Sequence, residues 1–167
     1  MKKRILKTLG GASLAILALT VVTQVWVSAQ DKDSRSFASD QTLVGSWNLE
    51  VTLRDCGTGT PFVTFPAMNT YNQGGTTQQA ALPDPGSSAT PGHGVWSHKN
   101  GRGYIGSFQF FALNPNPALI TRVIVRSDIS LDLGGNSYTS TDAAEIRALD
   151  GTVVGIGCST TVGTRFE

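Results

Sequence analysis

Acidic residues on one predicted strand are the best candidates for chemistry in this sequence. The stretch NSYTSTDAAEIRALD, residues 136–150, is unusually polar; Asp142 shares a strand face with Tyr138, and Glu145 lies on the opposite face. A carboxylate that faces an enclosed interior can transfer a proton or anchor a ligand. Asp142, Tyr138 and Glu145 are therefore the candidate catalytic residues, and the alternative is that Asp142 is solvated near the start of a short strand.

Other signatures of catalysis or metal binding do not emerge from the sequence. His93 and His98 are five positions apart in a predicted strand, so they point to opposite faces and cannot easily share a metal ion. No Gly-x-Ser-x-Gly nucleophile motif is present, and GTGT at residues 57–60 lacks the lysine of a phosphate-binding loop. We predict no metal site and no cofactor.

Aromatic residues suggest an apolar pocket. Tyr104, Phe108 and Phe110 share one face of the stretch GYIGSFQFFAL, and Val123 and Val125 share a face of a later strand. These five residues are the predicted ligand-binding residues, and the alternative is that they fill a solid core. Small residues on the same and neighbouring predicted strands favour a cavity: Gly103, Gly106, Ala112, Ala143, Ala144, Gly155 and Gly157.

The elements that must position these side chains are β-strands. Polar and apolar residues alternate with period two along most of the chain, and Asn100-Gly101 and Asp150-Gly151 mark tight hairpins. The pattern predicts an all-β domain with eight antiparallel strands, at residues 44–54, 61–68, 76–82, 93–98, 103–113, 119–133, 137–149 and 152–166.

Mostly short links between consecutive strands favour an up-and-down β-barrel, because closure removes both exposed sheet edges. The alternative architecture is a β-sandwich. Cys56 and Cys158 are the two cysteines of the chain, and we predict a disulfide between them if the compartment is oxidising. That bridge would join the first and last strands, which are neighbours only in a closed sheet.

The motif Gly45-Ser46-Trp47, at the start of the first strand, resembles the Gly-x-Trp motif of lipocalins and the wider calycin superfamily. In that family the tryptophan sits at the closed end of the barrel, and an arginine at the end of the last strand packs across it. Arg165 occupies the corresponding position here. The resemblance implies structural roles for Trp47 and Arg165, and a barrel that binds one small molecule.

The last predicted strand does not fit this arrangement directly. Val154, Ile156 and Val162 share one face, whereas Arg165 lies on the other. A β-bulge near one of the glycines at 155, 157 or 163 would bring Arg165 onto the apolar face.

The N-terminal segment has the anatomy of a signal peptide. Residues 2–7 include four cationic side chains, an apolar stretch covers residues 12–27, and Val27-Ser28-Ala29 is a small-residue cleavage site. The alternative is an uncleaved membrane anchor. We predict a signal peptide over residues 1–29, a flexible leader over 30–41, and a barrel domain over 42–167.

The predicted signal peptide also bears on the net charge of the remaining chain and on its location. The predicted signal peptide holds four of the 13 basic residues and none of the 12 acidic ones, so the remaining chain has a net charge of −3. Such a chain has no electrostatic footprint for nucleic acid. We expect a secreted or periplasmic protein with no stable membrane insertion after signal cleavage.

Three functions remain open from the sequence. The first is a lipocalin-like protein that binds a small apolar molecule and performs no reaction. The second is a cofactor-free isomerase or cyclase, in a barrel of the allene oxide cyclase-like type, with proton transfer by the acidic strand. The third is an envelope interaction module with a filled core.

Overall fold

The computed structural model describes residues 42–82, 88–113 and 120–166. The predicted signal peptide and leader lie outside these residues. All the regular structure in the described ranges is β-structure, as the sequence predicts. The strands are β1 (Gly45–Arg54), β2 (Pro61–Tyr71), β3 (Thr76–Ala81), β4 (Ser88–Ala89), β5 (Gly92–Asn100), β6 (Gly103–Leu113), β7 (Ile120–Leu131), β8 (Ser137–Arg147) and β9 (Val153–Arg165).

Eight of these strands close into an antiparallel barrel. Each of the eight pairs with the next in chain order, and β9 returns to pair with β1 along eight residue positions, from Trp47 opposite Arg165 to Arg54 opposite Cys158. The short β4 extends the edge of β6 beyond the start of β5, with Ala89 opposite Ala112. The predicted eight-stranded up-and-down barrel is therefore confirmed, and the sandwich alternative is wrong.

The disulfide between Cys56 and Cys158 is also confirmed, with the two Cα atoms 5.2 Å apart. It ties the loop after β1 to the middle of β9. Because these two elements are far apart in sequence and adjacent only after closure, the bridge covalently reinforces the pairing that completes the barrel.

One end of the barrel is filled by a chain of aromatic rings in edge-on or tilted contact. Trp47 is 1 % exposed and meets Tyr138 with ring centroids 4.9 Å apart. Tyr138 meets Tyr71 at 6.2 Å, Tyr71 meets Trp96 at 5.9 Å, and Trp96 meets Tyr104 at 5.7 Å. These five rings form the floor of the barrel.

Strand β9 presents the opposite face from the one that its apolar residues indicate. Val154, Ile156 and Val162 are exposed on the outer wall, whereas Ser159 and Thr161 line the interior. The register of β9 against β1 runs without a shift from position 158 to position 165, so no bulge lies near Gly163. Against β8, a register shift does lie beside Gly155, which pairs with Ile146, whereas Val153 pairs with Arg147. This shift precedes Ile156 and Val162 and leaves both on the face opposite Arg165. Arg165 therefore reaches the floor because its whole side of β9 faces inward.

Gly163 explains why this face of β9 can point inward. A Cβ atom at that position would lie 2.3 Å from the ring of Tyr138, so the ring rests directly on the glycine backbone. A larger residue would push Tyr138 off the floor, because real Cβ contacts are never that short.

Candidate functional site

The candidate site is a cavity of about 160 Å³ inside the barrel, above the aromatic floor. Tyr71 and Tyr138 form its base. Its wall is largely apolar because the inward positions of β1, β2, β6 and β7 carry branched and aromatic side chains. The apolar lining residues include Leu49, Val51, Leu53, Phe65, Phe108, Phe110, Val123 and Val125.

The structure brings together four of the five predicted ligand-binding residues. Cross-strand pairing sets Phe108 opposite Val125 and Phe110 opposite Val123, so the four side chains form one continuous patch on β6 and β7. The rings of Phe108 and Phe110 are stacked with centroids 6.3 Å apart. Tyr104, 5 % exposed, instead lies in the floor and does not line the cavity. Ligand binding by these residues stays a prediction.

A polar corner lies beside this patch, where β8 meets β9. Asp142 lines the cavity and accepts hydrogen bonds from three hydroxyl groups. Ser140 donates to Oδ1 at 2.9 Å, while Thr161 and Ser159 donate to Oδ2 at 2.7 and 3.3 Å. Asp142 therefore lies in the middle of β8, partly buried and held by side chains of two strands, rather than near the start of a short strand.

Tyr138 and Glu145 occupy very different surroundings. Burial raises the pKa of Tyr138 well above its usual value and raises the pKa of Tyr71 to about 12, so both hydroxyls stay protonated at neutral pH. The two hydroxyl oxygens are 3.5 Å apart at the base of the cavity. Tyr138 can therefore donate a hydrogen bond into the cavity but cannot act there as a base.

Glu145 lies on the outer wall of β8 and does not share the cavity with Asp142. It forms ion pairs with Arg147 and Arg126, with Arg126 Nη1 2.7 Å from Oε1. Hydrogen bonds from Arg147 and Arg126 hold the pKa of Glu145 below its usual value. This carboxylate is therefore an ionised surface group and takes no part in the interior site.

Below the cavity, Arg165 braces the floor against the chain entering β1. Its guanidinium lies over the ring of Trp47 with Cζ 4.3 Å from the centroid, a cation–π arrangement. The same group donates to the carbonyl oxygens of Val44, Thr42 and Gly135 at 2.8–2.9 Å. A fork of fixed donors suits this task better than the single ammonium of lysine.

Sequence reasoning missed two hydroxyl groups that line the cavity on β9. Ser159 and Thr161 were not selected because the apolar residues of β9 pointed to the other face. A usable signal was present: the glycines at 155, 157 and 163 fall on the same face as these two hydroxyls. An inward face of small and polar residues is what a cavity requires opposite large aromatic side chains.

Neither a metal centre nor a membrane-crossing helix occurs within the described ranges. No three side chains of His, Cys, Asp or Glu come close enough there to hold a metal ion. The same ranges contain no helix with the length and hydropathy that a membrane crossing needs. Comparison of the chain with protein-family models, with curated proteins and with solved structures finds no match.

Proposed function

We propose that this protein binds a small, largely apolar molecule inside the barrel, in the manner of a lipocalin-like carrier. The observation that carries the proposal is the cavity of about 160 Å³, whose lining is largely apolar and includes the polar corner around Asp142 and the amide side chains of Asn69 and Gln79. Binding sites for small molecules combine an apolar lining with a few converging polar groups in this way. An apolar cavity of ~150 Å³ can hold one benzene molecule, so the ligand is of the size of a single ring or a short chain.

The Cys56–Cys158 disulfide supports a secreted or periplasmic location for this carrier. Disulfides persist in oxidising compartments and are rare where thiols are kept reduced. The signal-peptide anatomy of residues 1–29 points to the same compartment. A carrier in that location would shield an apolar molecule from water between cells or between membranes.

The test is titration of the folded protein with toluene, followed by protein NMR. We expect saturable chemical-shift changes at Phe108, Val125 and other lining residues. Ala144→Leu, which fills the cavity, should abolish them. Ala143→Leu is the matched control, because Ala143 is the adjacent exposed residue and points to the outer wall. Absence of saturable shifts in the native protein, or equal binding by both variants, would refute the proposal.

A second candidate function is cofactor-free proton transfer on a bound substrate. The specific observation in its favour is that Asp142 faces the cavity and that three hydroxyl donors orient its carboxylate. Tyr138 could donate a hydrogen bond, whereas Glu145 on the outer wall could not contribute. An Asp142→Asn variant that keeps ligand affinity and loses turnover would favour this enzyme over the carrier.

A further inference from the structure

The carboxylate of Asp142 has hydrogen-bond donors but no partner of opposite charge. The lining of the cavity contains no lysine, arginine or histidine. None of the ion pairs among the described residues includes Asp142. Arg54 lies on β1 opposite Cys158 of β9, but its guanidinium donates to Thr160 and to the carbonyl of Gly59, both outside the cavity lining.

Three hydroxyl dipoles orient this carboxylate but do not neutralise it. Removing a charged carboxylate from water is costly unless an opposite charge or sufficient hydrogen bonds replace the lost hydration. All three donors, Ser140, Ser159 and Thr161, are neutral, and they approach from β8 and β9 only. The side of the carboxylate that faces the cavity is open to a ligand group.

The apolar wall lies within reach of the same point. Asp142 on β8 pairs with Ser127 on β7. Two positions along β7, Val125 pairs with Phe108 on the next strand, β6. With neighbouring strands ~4.8 Å apart, the Phe108 and Phe110 wall lies about two strand spacings from the carboxylate. A ligand with an apolar body and one polar end can therefore contact the aromatic wall and the Asp142 carboxylate at once.

We propose that the ligand of this cavity is a small apolar primary amine whose ammonium group pairs with Asp142 while its apolar body packs on Phe108 and Phe110. This inference rests on the proposed binding function and adds the chemical class of the ligand. An ammonium supplies both the opposite charge and up to three N–H donors. An anionic ligand of the same size is repelled by the uncompensated carboxylate.

The test compares two probes that differ in charge and hardly in shape. Benzylamine, protonated at pH 7, and benzyl alcohol are titrated into the native protein by calorimetry. We expect benzylamine to bind at least about tenfold more tightly, as one charge-assisted contact in a partly buried site allows. In Asp142→Asn, the preference for the amine should disappear while the affinity for benzyl alcohol stays within about twofold.

Asp128→Asn is the matched control, because Asp128 lies on the outer wall of β7 in an ion pair with Lys99 and its side chain is 57 % exposed. This variant should keep the full preference for benzylamine. A preference that vanishes in Asp128→Asn, or that survives in Asp142→Asn, would overturn the assignment to Asp142.

The two titrations of the native protein test the ammonium assignment even if a variant fails to fold. If benzyl alcohol binds and benzylamine binds no more tightly, the ammonium assignment is overturned and the binding function stands. If neither probe binds, both the binding function and the ammonium assignment are overturned. The two failures are therefore distinguishable in a single pair of titrations.

Discussion

The first position of the Gly-x-Trp motif requires glycine for reasons of backbone conformation and of space. Gly45 has a φ of +133°, a backbone conformation that side chains disfavour, and a Cβ there would lie 2.7 Å from Nη1 of Arg165. The glycine thus lets the guanidinium reach both the ring of Trp47 and the carbonyl of Val44. The motif encodes a close approach between the two ends of the domain.

We expect Gly45→Ala to lower the free energy of unfolding by about 2–4 kcal/mol, because it combines backbone strain with displacement of Arg165. Urea denaturation followed by tryptophan fluorescence measures this directly. Gly59→Ala is the control for strain alone, since Gly59 also has a positive φ, +74°, with no atom within 4 Å of the added Cβ. Equal losses in the two variants would show that the contact with Arg165 does not matter.

Among the strands, β9 shows that apolar alternation does not by itself identify the buried face. Its inward positions carry glycine, serine and threonine, and the large residues of its other face, such as Ile156, remain on the outer wall. On β1 the ordinary rule holds, and Leu49 is 7 % exposed. The difference arises because β9 lies beside the polar corner and beneath the ring of Tyr138, where large side chains do not fit.

This contrast predicts unequal effects from matched truncations. Leu49→Ala should lower the free energy of unfolding by about 2–5 kcal/mol, because it removes buried apolar volume. Ile156→Ala should change it by less than about 0.5 kcal/mol, because the Ile156 side chain is 71 % exposed. Thermal and urea unfolding of the two variants would check the pair, and a larger loss in Ile156→Ala would contradict the assigned face.

For the barrel as a whole, closure depends on a pairing between its first and last strands. The Cys56–Cys158 bridge spans a sequence separation of 102 residues and links the loop after β1 covalently to β9. In the chain-entropy description, a loop of this length stabilises the folded state by up to ~4.7 kcal/mol. Backbone pairing between β1 and β9 remains available without the bridge, so the barrel should still form when the bridge is absent.

We therefore expect the Cys56→Ser/Cys158→Ser variant to keep its β-sheet circular dichroism and to lose up to ~4.7 kcal/mol of unfolding free energy. Reductant should lower the stability of the native protein by a similar amount and leave the variant unchanged. An unfolded variant would mean that β1 and β9 cannot pair stably without the disulfide. No change in stability would mean that the bridge adds nothing to the pairing.

The sequence by itself determined the strands, their order and much of the interior. The β1, β6 and β7 faces could be read from alternation because side-chain direction along a strand is a local property of the backbone. Closure could be inferred from eight consecutive strands and two cysteines, since each feature constrains which ends must meet. The aromatic and valine patch, Phe108, Phe110, Val123 and Val125, follows from the same local rule.

Only the tertiary structure decided which face of β9 turns inward and what that face assembles. The choice depends on the register with β1 and on the space that Tyr138 occupies over Gly163, and both are contacts between distant parts of the chain. The polar corner shares this origin, because Asp142 comes from β8 while Ser159 and Thr161 come from β9. Groups from two strands converge on one carboxylate only after pairing. The glycines of β9 could indicate which of its faces is inward, but they could not show that this face meets Asp142.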